Sequence, residues 1–340
     1  MFRKTAVPAL AVLALTFSAG ASSAADIVVG TFGGSNGEAV KACHADPYTK
    51  DSGNNVTTKL GNSSQFASMV RATAGASDMD VVYIDDSLAT QLANEGLLEK
   101  IDPAKLKSTS QLVDGAFGGK GHYVVFQWSS TTLAYNPKLV STPPTSWADV
   151  FKPEYAGKLA LPDISGTAGV HFLIAANRLG GGTLDNIDEG LKRAKSLVPG
   201  TVAFYTQADQ LLSMFERGEV AIAPWYTDRA AVAEDKDVPV KFVYPSEGAI
   251  GIRVALVIPR GTKNLDAALQ YVDRVLSKEA QECFAERMYG GPVNKEAALK
   301  GRASDVVPPS QYGKLYFIDP EVSSKSVAGW RQRWQREVTR

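Results

Sequence analysis

The sequence predicts a protein of the α/β class, in which helices cover a mostly parallel sheet. First, segments typical of strands and of helices alternate along the chain, as in layered α/β domains. Second, residues 80–84 (DVVYI) form a nearly continuous apolar run, which is typical of strands covered on both faces. Third, 340 residues with 44% hydrophobic content provide enough apolar side chains for one or two domains.

The first part of the chain alternates regularly between the two kinds of element. Its strand segments are short and rich in β-branched residues, and apolar residues recur at helical spacing in the segments between them. The predicted order is a strand at 26–32, a helix through 39–48, a strand at 56–60, a helix opened by Ser64, a strand at 80–84 and a helix at 88–97.

The alternation resumes after an extended strand at residues 128–135. The predicted order is then a short helix at 147–151 that Ser146 caps, a strand at 158–161, helices at 169–179 and 184–197, a strand at 202–204, a helix at 208–217, and strands at 219–225 and 241–244. A strand at 250–258 is long enough to cross back between two domains, and the strand near 131–133 makes the first crossing.

Two helices are predicted in the last part of the chain. Residues 265–288 carry apolar side chains at a spacing that gives one buried face. At the C-terminus, Val327, Trp330, Trp334 and Val338 form a stripe on a helix whose other positions are largely Arg and Gln. We expect this helix to dock on a domain, and a helix lying on a membrane surface is the alternative.

The first residues have the pattern of an export leader. Arg3 and Lys4 are basic, residues 7–17 are apolar but too few to span a bilayer, and residues 23–25 (SAA) form a small-residue cleavage site. Cleavage near Ala25 would release an exported protein, and an uncleaved membrane anchor is the alternative. No Cys follows the apolar segment, so we do not expect a lipid anchor.

The two cysteines fit an oxidising compartment. Cys43 and Cys283 both lie on predicted helices, and a bond between them would close a loop of about 240 residues. Two separate buried thiols are the alternative. The formal net charge is zero and there is no Lys/Arg run, which argues against a nucleic-acid partner.

Ligands of open α/β sheets bind beyond the carboxyl ends of the strands. Four predicted strand ends carry glycines, polar groups or aromatic rings that suit a polar ligand. They supply the candidate binding residues Phe32, Gly33, Gly34, Asn36, Asp85, Asp86, Ser87, Ser165, Gly166, Thr167, Trp225, Tyr226 and Asp228. Plain strand-to-helix turns, helix-capping side chains and a core position for Trp225 are the alternative interpretations.

Several segments resemble the spermidine/putrescine-type extracellular solute-binding proteins, the ligand-capturing subunits of bacterial ABC importers. The resemblance covers essentially the whole chain after the leader. It is carried by Tyr135-Asn136-Pro137, Pro144-Thr145-Ser146-Trp147-Ala148-Asp149, Pro153-Glu154-Tyr155-Ala156-Gly157-Lys158, residues 218–225 (GEVAIAPW), Glu247-Gly248-Ala249-Ile250, Ile258-Pro259 and Pro292-Val293-Asn294.

This resemblance implies a type II periplasmic binding protein-like fold, with two α/β lobes joined by crossing strands and a ligand cleft between them. We expect a leader at 1–25, a first lobe of 26–132 plus 254–300, and a second lobe of 133–253 plus 301–340. Closure of such lobes around a ligand follows from a hinge at the crossing strands.

The resemblance also implies a periplasmic, non-enzymatic binding subunit without a cofactor. Its partners would be a small polar organic ligand and a membrane permease, and we expect a monomer. The ATPase would be a separate chain because this one has no P-loop. Related ferric-binding proteins use adjacent tyrosines, whereas this chain has no Tyr-Tyr pair and its three His and two Cys lack a ligand spacing, so we predict no metal site.

Two positions depart from the polyamine binders. Those proteins carry a carboxylate in the loop where Ser165, Gly166 and Thr167 stand here, and an aromatic–Asp pair where this chain has Arg253. An Arg facing the cleft would bind a carboxylate through paired hydrogen bonds, and a surface ion pair is the alternative. These departures favour a zwitterion or a carboxylate-bearing amine over a diamine.

Two other classes of function stay open at this point. Gly33-x-Ser35-x-Gly37 matches the nucleophile elbow of serine hydrolases. However, none of the three histidines, His44, His122 and His171, lies near the C-terminus, where the partner of such a Ser usually falls. A chemosensory protein would present its ligand to a receptor through the same closed lobes as an importer subunit, so the sequence does not separate the two.

Overall fold

The structure is a computed structural model that describes residues 25–73 and 77–339. The predicted leader lies outside the described residues, apart from Ala25. Within those residues, no helix combines the length and the apolar character that crossing a bilayer requires.

The strands are short except for two long central ones. They are β1 Asp26–Thr31, β2 Asn55–Leu60, β3 Val81–Asp85, β4 Phe117–Gly118, β5 Tyr123–Tyr135, β6 Leu159–Pro162, β7 Thr201–Tyr205, β8 Ile222–Tyr226, β9 Lys241–Val243, β10 Ile250–Val257, β11 Gly291–Pro292 and β12 Tyr316–Phe317.

Helices alternate with these strands as predicted. They are α1 Ser35–Val40, α2 Asp46–Ser52, α3 Ser63–Ala72, α4 Asp86–Asn94, α5 Thr167–Leu179, α6 Asp188–Leu197, α7 Ala208–Glu216, α8 Thr227–Asp235, α9 Leu265–Leu276, α10 Lys278–Met288, α11 Arg302–Val306, α12 Pro309–Tyr312 and α13 Pro320–Glu337. A π-helical segment, Lys41–Ala45, joins α1 to α2, and short 3₁₀ helices span Pro103–Lys105, Lys107–Gln111, Gly119–Gly121, Trp147–Phe151, Pro153–Tyr155 and Val198–Gly200.

One continuous path of strands, in the order β2-β1-β3-β10-β5-β8-β6-β7, runs through both lobes. The outer strands are parallel: β1 pairs with β2 and β3, and β6 pairs with β7 and β8. The two central strands, β10 and β5, run antiparallel to their neighbours on this path, and they carry the chain from one lobe to the other and back. The result is the predicted α/β fold with two lobes joined by crossing strands.

Strand β5 makes the first crossing over 13 residues, all of them buried. It pairs with β10 through Tyr123–Thr131 and with β8 through Thr131–Tyr135. The sequence placed only its second half, from Trp128 onward, because the resemblance and the Ser/Thr pattern begin there. Because β5 pairs with β10 in its first part and with β8 in its second, it connects the two lobes.

Buried apolar side chains form a separate core in each lobe. In the first lobe, Ile27, Val81 and Leu256 are fully buried in one cluster. In the second, Leu133 belongs to a cluster that includes α5 and α13, and a further cluster lies under α7 and α8. The cores also meet at α8, where Ala231 and Val232 belong to the first cluster and Ala230 and Ala233 belong to the cluster under α7 and α8.

The C-terminal helix α13 packs against the rest of the protein, as predicted, and contacts α4 of the first lobe and α5 and α6 of the second. The four stripe residues Val327, Trp330, Trp334 and Val338 are all buried in the core of the second lobe. The long helix predicted at 265–288 is instead two helices. Ser277 is extended between α9 and α10, and its hydroxyl accepts a hydrogen bond from the Ala280 N–H to cap the second helix.

Cys43 and Cys283 form a disulfide with a Cα–Cα distance of 5.6 Å, which confirms the predicted pairing over the alternative of two thiols. The bond joins the π-helical segment to α10 inside the first lobe. It therefore ties the N-terminal part of that lobe to the part that returns after the second lobe.

Candidate ligand-binding site

A cavity of about 360 Å³ lies between the lobes, at the carboxyl ends of several strands. Of the predicted binding residues, eight line it: Phe32, Gly33, Asn36, Asp85, Gly166, Thr167, Tyr226 and Asp228. The strand-end rule thus brings together residues from both lobes that are up to about two hundred positions apart in the sequence.

Asp85 is the last residue of β3, and its side chain is 8% exposed. The Thr167 hydroxyl donates a hydrogen bond to its carboxylate from the other lobe. The backbone N–H of Asp85 donates to Ser63 Oγ at 3.2 Å, which fixes the end of β3 against α3. Burial raises the pKa of the Asp85 carboxyl, and the two hydroxyls and the more distant Arg331 charge only partly oppose this.

Asp228 is the second buried carboxyl of the cavity, in the first turn of α8, and it is 6% exposed. Burial raises its pKa as well, and the neighbouring Arg229 opposes the shift. The Arg229 Nη2 donates to the Gly33 carbonyl at 3.1 Å and so reaches the first lobe. The cavity therefore holds two buried acids and one guanidinium that is already hydrogen-bonded to the backbone.

Aromatic and amide groups form the rest of the wall. The Tyr226 hydroxyl accepts a hydrogen bond from the Ala168 N–H at 3.3 Å, and burial raises its pKa. Asn36 and Gln127 are buried, and in the described part of the chain no group hydrogen-bonds Asn36 Oδ1 or Gln127 Oε1. Buried polar atoms are rarely left without partners, so these two oxygens are exceptions in the wall of the site.

The sequence analysis missed several lining residues. Asp209, on α7, adds a third carboxylate, and it lies so close to Gly34 that a Cβ there would sit 2.8 Å from its Oδ1. Gly34 also has φ +61°, so only glycine suits this position at the cavity edge. The other missed residues are Leu60, Gly61, Asn62, Ser63, Ser64, Gln65, Gln127, Ser129, Thr206, Gln207, Ala208, Arg229, Ile252 and Val254.

The sequence did contain a pattern that could have predicted some of these missed lining residues. Asn62 and Gln65 form a capping box at the start of α3, directly after β2. The ends of β2 and β7 are strand ends like the four that were considered, and the same rule would have found them. Arg229 was missed because α8, rich in alanine, has no apolar stripe that predicts a helix.

The predicted position of Trp225 is wrong. The residue was expected as an exposed platform, but it is 1% exposed and stacks on Phe215 in the core, with ring centroids 5.8 Å apart. Successive side chains of a strand point to opposite faces. Along β8, Trp225 therefore points into the lobe while Tyr226 points to the cavity.

The predicted position of Arg253 is also wrong, because this residue does not line the cavity. Its guanidinium lies over the Phe317 ring at 4.0 Å and pairs with Asp86 at 3.6 Å. Burial raises the Asp86 pKa to about 7, with Arg253 opposing. Asp86, Ser87 and Arg253 line a separate pocket of about 20 Å³ behind Asp85, which has room for about one water molecule.

The remaining predicted residues lie at the edge of the site. Ser165 lines a groove at the mouth of the cleft rather than the cavity itself. Ser35, the candidate nucleophile, has Lys236 Nζ at 3.4 Å. The three histidines are engaged elsewhere: His44 bonds Tyr83, His122 bonds the Leu98 carbonyl and His171 bonds Thr131. Among the described residues, Ser35 therefore has no histidine partner, and its neighbour is the Lys236 ammonium group, which donates a hydrogen bond to it.

Comparison with known proteins supports the family resemblance found in the sequence. Residues 44–308 match the family model of the bacterial extracellular solute-binding proteins. The spermidine/putrescine-binding periplasmic protein of Escherichia coli (strain K12) is 31% identical over 312 residues, which are 86% of this chain and 82% of that protein. The gamma-aminobutyric acid-binding protein of Pseudomonas aeruginosa is 24% identical over 84% of this chain and 82% of its own length.

Among solved structures, the periplasmic binding protein AgtB of A. tumefaciens R10, in complex with agropinic acid, has a similar fold. It superposes with a TM-score of 0.78 at 20% sequence identity, over 93% of this chain and 99% of that one. None of these relatives supports the hydrolase or the chemosensory alternative. The chain belongs to the family of bacterial extracellular solute-binding proteins.

Proposed function

We propose that this chain captures a small amine-bearing solute in the cleft between its lobes and does not convert it. The observation that carries the proposal is that two buried carboxylates, Asp85 and Asp228, line one cavity and that burial raises the pKa of both. The Asp228 charge also raises the pKa of Asp85. An ammonium group between them would supply the missing positive charge and favour both ionised forms.

The aromatic residues of the cavity support the same ligand class. Tyr226 and Phe32 both line the cavity that holds the two carboxylates. A cation over an aromatic face gains about 0.5–2 kcal/mol, depending on its desolvation. In this proposal, Tyr226 takes the role that the sequence analysis gave to Trp225.

The opposite end of the ligand would meet Arg229 or Asp209, which also line the cavity. A carboxylate would be favoured by the Arg229 guanidinium and a second amine by Asp209. With Arg253 outside the cavity, Arg229 is the residue that supports a zwitterion. The relatives named for spermidine/putrescine and for gamma-aminobutyric acid represent these two kinds of ligand, and both kinds carry an amine.

We propose further that the closed protein delivers the solute to the membrane permease of an ABC importer whose ATPase is a separate chain. Export through the predicted leader and action as a periplasmic monomer belong to this proposal. The lobe bounds are proposed as predicted, with one change. Residues 303–315 are given to the first lobe because Ala303, Val306, Val307 and Leu315 pack in its core.

A thermal-shift panel tests the ligand class. Putrescine, spermidine and gamma-aminobutyric acid are compared with succinate, which has two carboxylates and no amine. At least one amine is expected to raise the unfolding temperature, because a ligand that binds only the folded state stabilises it by mass action. Stabilisation by succinate alone, or by none of the four, would contradict the proposal.

A further inference from the structure

The guanidinium of Arg331, on α13, bridges the mouth of the cleft. Its Nη2 donates to the Ser165 carbonyl at 2.8 Å, and its Nε donates to the Ile164 carbonyl at 3.1 Å. The same Nη2 lies 3.4 Å from Ser64 Oγ, in the first turn of α3. Ser64 Oγ in turn donates to the Ser165 carbonyl at 3.2 Å. One side chain thus contacts the loop after β6 in the second lobe and a helix start in the first.

The helix that carries this guanidinium is itself attached to both lobes. Trp330, directly before Arg331, is buried in the core of the second lobe, and so is Trp334 one turn later. Near the other end, α13 packs against α4 of the first lobe, where Asn94 Nδ2 donates to Glu321 Oε2 at 3.2 Å. The base of the Arg331 side chain is therefore held by the second lobe while its tip reaches the first.

Within residues 25–73 and 77–339, Arg331 forms no ion pair. Its hydrogen-bond partners are two carbonyls and one hydroxyl, all of them neutral. Its charge acts on Asp163 and on Asp85, the carboxylate inside the cavity. Hydrogen bonds from a charged donor are stronger than those between neutral groups.

We propose that Arg331 is a positioning residue, which holds the 164–165 segment of the second lobe against α3 of the first and so keeps the cleft closed around its ligand. The inference rests on the proposed function. When the lobes separate, the contacts to Ile164 and Ser165 persist, whereas the contact to Ser64 is lost. Arg331 therefore favours the closed arrangement over the open one, which is the condition for shifting that equilibrium.

Arg333 provides a matched control on the same helix. Its guanidinium pairs with Asp188 at 2.8 Å and with Glu337 at 3.0 Å, both in the second lobe. Arg331→Met and Arg333→Met are compared with the wild type by stopped-flow dissociation of putrescine and of gamma-aminobutyric acid. We expect Arg331→Met to dissociate about tenfold faster, or more, and Arg333→Met to match the wild type. Thermal unfolding of both variants reports whether either one is simply misfolded.

Arg331→Lys separates bridging from charge. Lys keeps the positive charge but lacks the planar fork that spans three acceptors. We expect this variant to dissociate ligand faster than the wild type. A wild-type dissociation rate in Arg331→Lys would overturn the bridging role.

A pH profile adds a readout that a purely structural role would not move. The charged and titratable groups around Asp85 are Asp86, Asp228, Tyr226 and Arg331. Of these, Arg331 is the one whose charge lowers the Asp85 pKa. In Arg331→Met, the pH at which half of the binding affinity is lost should therefore move upward, and in Arg333→Met it should not.

The outcomes separate this inference from the proposed function. If the wild type binds neither amine, the proposed function fails. The positioning role of Arg331 is then tested on the ligand-free proteins by small-angle scattering. Arg331→Met should have a larger radius of gyration than the wild type, and equal radii would overturn the positioning role. If the wild type binds an amine and Arg331→Met releases it at the wild-type rate with an unchanged pH profile, the positioning role is wrong.

Discussion

The Thr167 hydroxyl, at the first residue of α5, donates a hydrogen bond to the Asp85 carboxylate at the end of β3. The two residues are 82 positions apart and belong to different lobes. Their contact holds one wall of the cleft against the other at the cavity. It also leaves Asp85 with a neutral partner, so a cationic ligand would still gain a full charge interaction there.

Replacing Asp85 by Asn should separate binding from stability. The amide keeps an acceptor for Thr167 but removes the charge, so affinity for an amine should fall roughly 10- to 100-fold. The pKa of Asp85 is raised in the folded protein, so its contribution to the unfolding free energy is lost as pH rises through that pKa. At neutral pH the ligand-free variant should therefore be at least as stable as the wild type.

Calorimetric titration and thermal unfolding measure both effects. Asp114→Asn, in an exposed turn, is the control for removing one carboxylate. Equal affinities of Asp85→Asn and Asp114→Asn for every amine would contradict the role of Asp85.

Amine binding should depend on pH in a defined direction. The pKa values of Asp85 and Asp228 are raised by burial, and a bound ammonium group favours their ionised forms. Binding should therefore release protons, and affinity should fall as pH is lowered through the raised pKa values. Calorimetry in two buffers of different ionisation enthalpy counts these protons. Proton uptake on binding would contradict the assignment.

Adjacent aromatic residues on β8 should give opposite results. Tyr226→Leu removes a ring from the cavity and should weaken amine binding about tenfold. Trp225→Phe shrinks a core side chain and should lower the unfolding free energy by about 1–3 kcal/mol without changing affinity. Titration and urea unfolding of both variants check this, and a larger loss of affinity in Trp225→Phe would restore Trp225 as the ligand platform.

The disulfide should be a major contributor to stability. Cys43 and Cys283 are 240 residues apart, and closing a loop of this length is rated at about 5 kcal/mol by the chain-entropy model. Urea unfolding of the wild type and of the Cys43→Ser/Cys283→Ser double variant measures the difference. A difference under about 1 kcal/mol would show that the bond does little to restrict the unfolded chain.

The sequence predicted those lining residues of the cavity that follow strand ends. Phe32, Gly33 and Asp85 follow apolar runs, and the carboxyl ends of strands mark the ligand side of an α/β sheet. Trp225 was misplaced because a five-residue strand buried on both faces has no polar alternation to show which residues face inward. Its neighbour Tyr226 is the residue of this strand that lines the cavity.

Other features depended on contacts that no local pattern contains. Arg253 was expected in the cleft, but Asp86 and Phe317, far from it in sequence, hold it behind Asp85. Asp209 and Arg229 enter the cavity from helices α7 and α8. The sequence predicted helix α7 but not that Asp209 faces the cavity, and it did not predict helix α8.

The most direct test of the amine site is a crystal structure of the protein with the amine that stabilises it most in the thermal-shift panel. We predict density for the ligand in the cleft, with an ammonium nitrogen within about 3 Å of carboxylate oxygens of both Asp85 and Asp228. A ligand bound outside the cleft, or one whose nitrogen lies away from both carboxylates, would contradict the account.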